Sequence, residues 1–292
     1  LFVQLRREQK SGRHDVKGCD TDTDLRAACG GSRSVICISA DCYRIFGDLF
    51  FISFYEVGTC RYNKGENHMS EIITAKDIYK TFQTSSGEVH ALNGINLILE
   101  KGLFYAIIGK SGSGKSTLLH ILSGLDRPTA GKVLIDGKDL FSCSDEKMAI
   151  FRRRQMGFVF QQFNLLEEYN VRNNIEMPLK LDGKRADLDF LQQITDMLGI
   201  SKKMEKYPSE LSGGEQQRAA IARSLIAKPQ IIFADEPTGN LDKKSGEDTM
   251  KLLKMCSRQF GQTLVMVTHD LDIARTADQV IQIEDGKVVS LA

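Results

Sequence analysis

Residues Gly109-Lys110-Ser111-Gly112-Ser113-Gly114-Lys115-Ser116-Thr117 complete the pattern GxxxxGK[ST]. Glycines at this spacing let backbone N–H groups converge on phosphate oxygens without Cβ clashes, and a following helix adds its positive end. Lys115 suits the β- and γ-phosphates of a nucleoside triphosphate, and the Ser116 hydroxyl suits Mg²⁺. Three further places carry reactive groups after apolar runs: Asp235-Glu236, His269 and Gln161. Each has a plainer reading. A carboxylate pair can cap a helix, a lone histidine is more often structural, and glutamines are common in loops.

These groups need elements to position them. Ala106-Ile107-Ile108 reads as a buried strand and Leu118-Leu119-His120-Ile121-Leu122 as a helix, the strand–loop–helix context of a phosphate cradle. Ile231-Ile232-Phe233-Ala234 reads as a central parallel strand delivering Asp235 and Glu236 at the sheet's carboxyl edge. Gly157-Phe158-Val159-Phe160 precedes Gln161, and Thr263-Leu264-Val265-Met266-Val267 precedes His269. In Leu211-Ser212-Gly213-Gly214-Glu215-Gln216, Ser212 is a natural N-cap for a helix over Gln217 to Ala227. The two glycines leave that helix start bare for an anion. Residues 163–211 read as mostly helical, and the first strand as Ile72-Ile73-Thr74-Ala75.

The 292 residues are 41% hydrophobic and 26% charged, with net charge +1, the balance of an ordinary globular protein. Residues 1–68 hold 10 Lys and Arg against 9 Asp and Glu, so the remainder is formally neutral. That balance argues against nucleic acid, whose binders carry a surplus of cations. The run Arg152-Arg153-Arg154 is expected to be a solvated helix face. No stretch approaches the roughly 18 to 20 uninterrupted apolar residues needed to span a bilayer.

Taken in order, the phosphate loop, Gln161, Leu211–Gln216, Asp235-Glu236 and His269 resemble the ATP-binding cassette of ABC transporters, from about Ile72 onward. The resemblance implies an α/β fold: a P-loop NTPase core, mostly parallel sheet flanked by helices, with an N-terminal antiparallel β subdomain and an inserted helical subdomain at about 163–227. It implies ATP and Mg²⁺ as ligands, with Asp235, Ser116 and Gln161 serving the metal. Glu236 would polarise the attacking water, His269 would touch the γ-phosphate, and Gln161 would sense Mg²⁺ and the γ-phosphate, Gln162 being the weaker alternative. Phe82 aligns with the aromatic that stacks on adenine; Tyr79 is the alternative, and core packing is open for either. Leu211, Ser212, Gly213, Gly214, Glu215 and Gln216 would bind the γ-phosphate of ATP held by a second cassette, and Asp242 closes the D-loop. One phosphate loop and one such signature therefore imply a head-to-tail homodimer around two ATPs, or a heterodimer with a related cassette. Glu215 stands where glutamine is commoner, which places a carboxylate near nucleotide and raises a question about hydrolysis rate. Asn164-Leu165-Leu166-Glu167-Glu168-Tyr169 falls where cassettes meet a permease, with core packing the alternative for each side chain.

The run Ala234-Asp235-Glu236-Pro237-Thr238-Gly239-Asn240-Leu241-Asp242 is similar to one branch, which handles lipoprotein release, macrolide export, cell division and antimicrobial-peptide resistance. Gly124–Gly131 and Gly157–Gln162 agree with it. The branch implies an ATP-hydrolysing motor coupled to a separate integral membrane permease, peripheral on the cytoplasmic face of a bacterial membrane. The alternatives are a soluble ABC ATPase acting on ribosomes or DNA, and a permease-coupled regulator. Translation-type relatives carry two cassettes with a charged linker, and repair types carry long coiled coils or zinc insertions; the sequence has none of these.

Residues 69–292 are expected to be the cassette, and residues 1–68 a non-native or disordered extension. Five of the seven cysteines lie there without CxxC spacing or partner histidines at zinc-ligand spacing, which argues against zinc. Met69 looks like the initiator, because Lys64-Gly65-Glu66 can be encoded by AAA-GGA-GAA, which reads as a ribosome-binding site. The intact mass of the protein from its native host should correspond to a chain beginning at Met69; a species beginning at Leu1 would overturn this.

Overall fold

The computed structural model describes residues 70–85 and 87–291, so the expectations for residues 1–68 and Met69 lie outside the described residues. Strands β1 (Glu71–Thr84) and β2 (Gly87–Glu100) pair antiparallel along their length. In β2 the side chains alternate, Leu97 and Leu99 inward, Asn96 and Ile98 outward, as a sheet with one wet face requires. β4 (Ala130–Ile135) flanks β1 on its other side, and β5 (Lys138–Asp139) closes the antiparallel order β2-β1-β4-β5.

The second sheet contains β3 (Phe104–Gly109), β6 (Met156–Phe160), β7 (Ile231–Asp235), β8 (Thr263–Val267), β9 (Gln279–Glu284) and β10 (Lys287–Leu291). Their order is β10-β9-β3-β8-β7-β6, parallel throughout except for the antiparallel β9–β10 hairpin. Its central strands are buried on both faces, and period-2 alternation divides them between two cores. Ile231, Phe233, Val265 and Val267 join the core shared with the antiparallel sheet. Ile232, Ala234, Leu264 and Met266 join the opposite core.

Helix α1 (Lys115–Leu122) turns Leu118, Leu119, Ile121 and Leu122 into the first core. The second core is completed by α3 (Val171–Lys180), α4 (Leu188–Met197), α5 (Gly213–Leu225) and α6 (Lys243–Gln259), through residues such as Ile175, Ile194, Ile221 and Leu253. Residues 163–170 carry no helix. Helix α5 begins at Gly213, earlier than the expected Gln217, because Ser212 caps it through the Glu215 N–H, and it ends at Leu225.

The expectation of a solvated face for Arg152-Arg153-Arg154 holds only in part: Arg154 is exposed, whereas Arg152 and Arg153 are half-buried. These residues end helix α2 (Asp145–Gln155), and all three are engaged. Arg152 donates to the Gly124 carbonyl at 2.7 Å. Arg153 and Arg154 take the two oxygens of Asp182 at 2.5 and 2.7 Å, and Lys184 approaches the second at 3.0 Å. The Asp182 side chain is only 3% exposed, and a carboxylate so enclosed needs cations around it. Hydrogen bonds from Arg154, Arg153 and Lys184 hold its carboxyl well below the usual carboxylate range. A depressed folded-state pKa contributes stability that is complete above the ordinary aspartate value, about 3.9, and is lost as pH falls below it. Asp182→Asn should therefore lower the Tm by several degrees at pH 7. The gap from the parent should narrow only below about pH 4, as read by thermal melts across pH.

Candidate nucleotide-binding site

Three adjacent parallel strands set the site. Ile107 of β3 pairs with Val267 of β8, and Val267 pairs with Asp235 of β7, so their carboxyl ends lie side by side. Beyond them opens a cavity of about 400 Å³ lined by Gly109, Ser111, Gly112, Gly114, Lys115, Ser116, Thr117, Glu236 and His269. Its loop is pressed against backbone on two sides. A Cβ at Gly109 would lie 2.2 Å from the Ile283 carbonyl oxygen, and one at Gly114 would lie 2.4 Å from that of Ala91. Gly114, at φ 100°, is the N-cap of α1 and supplies no side-chain cap, which leaves the first-turn N–H groups for an anion. Lys115 Nζ donates to the Lys110 carbonyl at 2.8 Å, across the loop. Ser113 Oγ is buried without a hydrogen-bond partner among the described residues.

Asp235 accepts from Ser116 Oγ at 3.0 Å, and its other oxygen lies 3.6 Å from His120 Nε2. His120 was not singled out from the sequence, although its position four residues after Ser116 puts it on the same face of α1. No group of three or more His, Cys, Asp or Glu able to hold a metal occurs among the described residues. One hydroxyl and one carboxylate nevertheless fit Mg²⁺, which takes few protein ligands and completes its shell with substrate phosphates and water.

Glu236 sits at φ 45°, a left-handed conformation costly for a residue with a side chain. Its N–H donates to the Val267 carbonyl, and its own carbonyl accepts from the Gly239 N–H, both at 3.0 Å. The Glu236 carboxylate lies 3.3 Å from His269 Nδ1. His269 is held in a short turn between Thr268, whose Oγ1 accepts from Asp270 N–H, and Asp270, which caps α7 (Leu271–Ala274). The expected Glu236 and His269 thus meet in one cavity.

Other expected residues stand outside its lining. Gln161 exchanges hydrogen bonds with Asn240, side chain to side chain and Asn240 side chain to the Gln161 carbonyl, both at 3.1 Å. Gly239 makes room for this, since a Cβ there would lie 2.7 Å from Gln161 Nε2. Phe82 is exposed on β1 with Lys80 Nζ 4.9 Å from its ring centroid. Tyr79 instead lines a separate depression with Asn93 and Gly94.

The Leu211–Gln216 segment forms the start of α5. Glu215 returns to Ser212, its Oε2 accepting from the Ser212 N–H at 2.9 Å and from Oγ at 3.0 Å, and Lys203 pairs with its Oε1 at 3.0 Å. The Ser212 backbone bond and then Lys203 pull the Glu215 carboxyl below its ordinary value. Leu211 is buried, and Gln216 donates to the Pro208 and Leu211 carbonyls. Asp242 caps α6, accepting from Ser245 N–H at 3.0 Å.

The family described as ABC transporter matches residues 92–239. The chain belongs to this family. It is an ATP-binding cassette of the ABC ATPase type. It is 42% identical over 223 residues to the lipoprotein-releasing system ATP-binding protein LolD of Syntrophus aciditrophicus, covering 76% of this chain and 100% of that one. It is 46% identical, again over 223 residues, to the macrolide export ATP-binding/permease protein MacB of Chlorobaculum tepidum. That match covers 76% of this chain but only 34% of the relative, so the chain spans about a third of that protein's length. A solved dimeric cassette in a post-hydrolysis state, bound to ADP and Pi, superposes with a TM-score of 0.69 at 39% identity, covering 76% of this chain and 98% of that one.

Proposed function

We propose that this cassette is the ATP-hydrolysing subunit of a bacterial transporter, pairing with a second cassette and docking on the cytoplasmic face of a separate membrane permease. The observation that carries the reading is the division of anion-binding features within one chain. The cavity holds the phosphate loop, Glu236 and His269, while the Ser212 helix start is absent from its lining. Each copy then offers a loop to its own ATP and a signature segment, Leu211–Gln216, to its partner's.

In that arrangement the loop N–H groups and Lys115 bind the β- and γ-phosphates. Phe82 offers an exposed face to adenine. Ser116, Asp235 and Gln161 would hold Mg²⁺, which neutralises phosphate charge when bound. Glu236 orients the attacking water, and His269 touches the γ-phosphate. Hydrolysis removes the anion that joins the two copies, so each turnover closes and opens the dimer.

Permease docking is supported by a second, largely apolar cavity of about 510 Å³, beside the expected contact segment. It is lined by residues including Asn164, Phe158, Phe160, Met177, Pro178 and Leu181. Leu166 and Tyr169 stand exposed in the same segment. The MacB relative is named for both ATP-binding and permease functions, whereas LolD is named as an ATP-binding protein and is matched along its whole length. No helix among the described residues is long and apolar enough to cross a membrane.

Glu236→Gln should slow hydrolysis by at least about 100-fold and should elute as a dimer from gel filtration in Mg²⁺ and ATP. Hydrolysis at the parent rate would overturn the assignment of Glu236. Affinity purification from detergent-solubilised native membranes should bring down a multi-span permease. Ribosomal proteins or DNA in its place would move the motor to the soluble class.

A further inference from the structure

Gln217 lies one turn into α5, and none of its surface is exposed. Its Nε2 donates to the Pro237 carbonyl at 2.6 Å and to the Phe160 carbonyl at 3.3 Å. Those carbonyls belong to the residue after Glu236 and the residue before Gln161. The other end of the same carboxamide, Oε1, is buried without a partner among the described residues. An amide half satisfied in the interior is a poor way to fill volume, because an apolar side chain of similar shape escapes the desolvation cost. The position is therefore explained by its two donor bonds.

Those bonds act where the backbone needs holding. Glu236 is left-handed at φ 45°, a conformation that persists only when its surroundings fix it. The Val267 carbonyl and the Gly239 N–H grip Glu236 itself. Gln217 grips the next peptide and, with the same amide group, the strand end that leads into Gln161. The Gln161–Asn240 bonds then close a link between the two segments.

We propose that Gln217 is a positioning residue for ATP hydrolysis, its carboxamide locking the peptides beside Glu236 and Gln161 to the helix whose first turn is the signature segment. This rests on the assignment of Glu236 as the group that orients water. Gln217 acts through those peptides and does not line the nucleotide cavity, so its loss should affect turnover and spare binding.

The test is Gln217→Met in the full chain, which keeps the volume and removes both donors. kcat should fall about 10- to 100-fold, while the KM for ATP and the affinity for a fluorescent ATP analogue stay at parent values. An unchanged kcat overturns the proposal, as does a raised KM with kcat intact. Glu236→Gln, assayed in parallel, separates the two failures. If Glu236→Gln is slow but Gln217→Met turns over at the parent rate, this proposal fails alone. If Glu236→Gln itself turns over at the parent rate, the assignment beneath the proposal fails with it. Gln217→Glu gives an independent readout should the methionine variant not fold. The introduced carboxyl can donate to the Pro237 carbonyl only when protonated, and burial raises its pKa. Its kcat relative to the parent should therefore rise as pH is lowered from about 8 to about 6; a ratio flat across that range overturns the proposal.

Discussion

The lateral registration of β3, β8 and β7 is the constraint from which the cavity follows. Because Ile107, Val267 and Asp235 stand in line across the sheet, the phosphate loop, His269 and Glu236 emerge from neighbouring strand ends. The registration is itself fixed by burial. A slip of one residue would exchange Ile232 and Ala234 with Ile231 and Phe233 between two different cores. The loop adds a second requirement, since Gly109 and Gly114 lie against the carbonyls of Ile283 and Ala91, on β9 and β2. Both sheets therefore shape the cradle, which explains why an antiparallel layer packs on a core that carries the reactive side chains on parallel strands.

Helix α5 joins what the strands keep apart. Its first turn is the signature segment, and its buried face reaches two segments at the carboxyl end of the sheet. Gln217 holds the peptides beside Glu236 and Gln161. One turn and a half later, Arg223 donates to the carbonyls of Phe163 and Asn164. Both of those residues have positive φ, so the guanidinium steadies a strained stretch of backbone. Burial lowers the Arg223 pKa from its ordinary value, and the two carbonyls compensate its desolvation. On the proposed reading, a partner's nucleotide pulling on the first turn of α5 would act on a helix already tied to the chain's own catalytic segments.

Legibility in the sequence followed the range of each interaction. The phosphate loop, the buried strands and the Ser212 cap are local patterns, and their residue order carries them. The Ser212–Glu215 capping box spans the same short range, but Glu215 stands out in the sequence only as a carboxylate near nucleotide. Contacts across long separations were not legible. Arg153 reaches Asp182 over 29 residues and Gln217 reaches Phe160 over 57, and neither partner is marked by type or period. A charge run read by itself suggests a solvated face. It became a latch because the chain turns back after α3 and encloses one carboxylate among the cations.

Glu215 shows the same division at a single residue. From the sequence it is an extra carboxylate in a segment expected to meet nucleotide. In the structure its charge is taken up locally. Ser212 donates through its backbone N–H and hydroxyl, and Lys203 pairs with the remaining oxygen. The carboxyl is consequently held ionised below its ordinary range, at the end of a helix where negative charge is favourable. A glutamine could keep the backbone bond but would leave the Lys203 ammonium without its counter-charge. Glutamate here is thus matched to a lysine twelve residues upstream, and on the proposed reading the field that a partner's phosphate would meet is that of the pair, not of a bare anion.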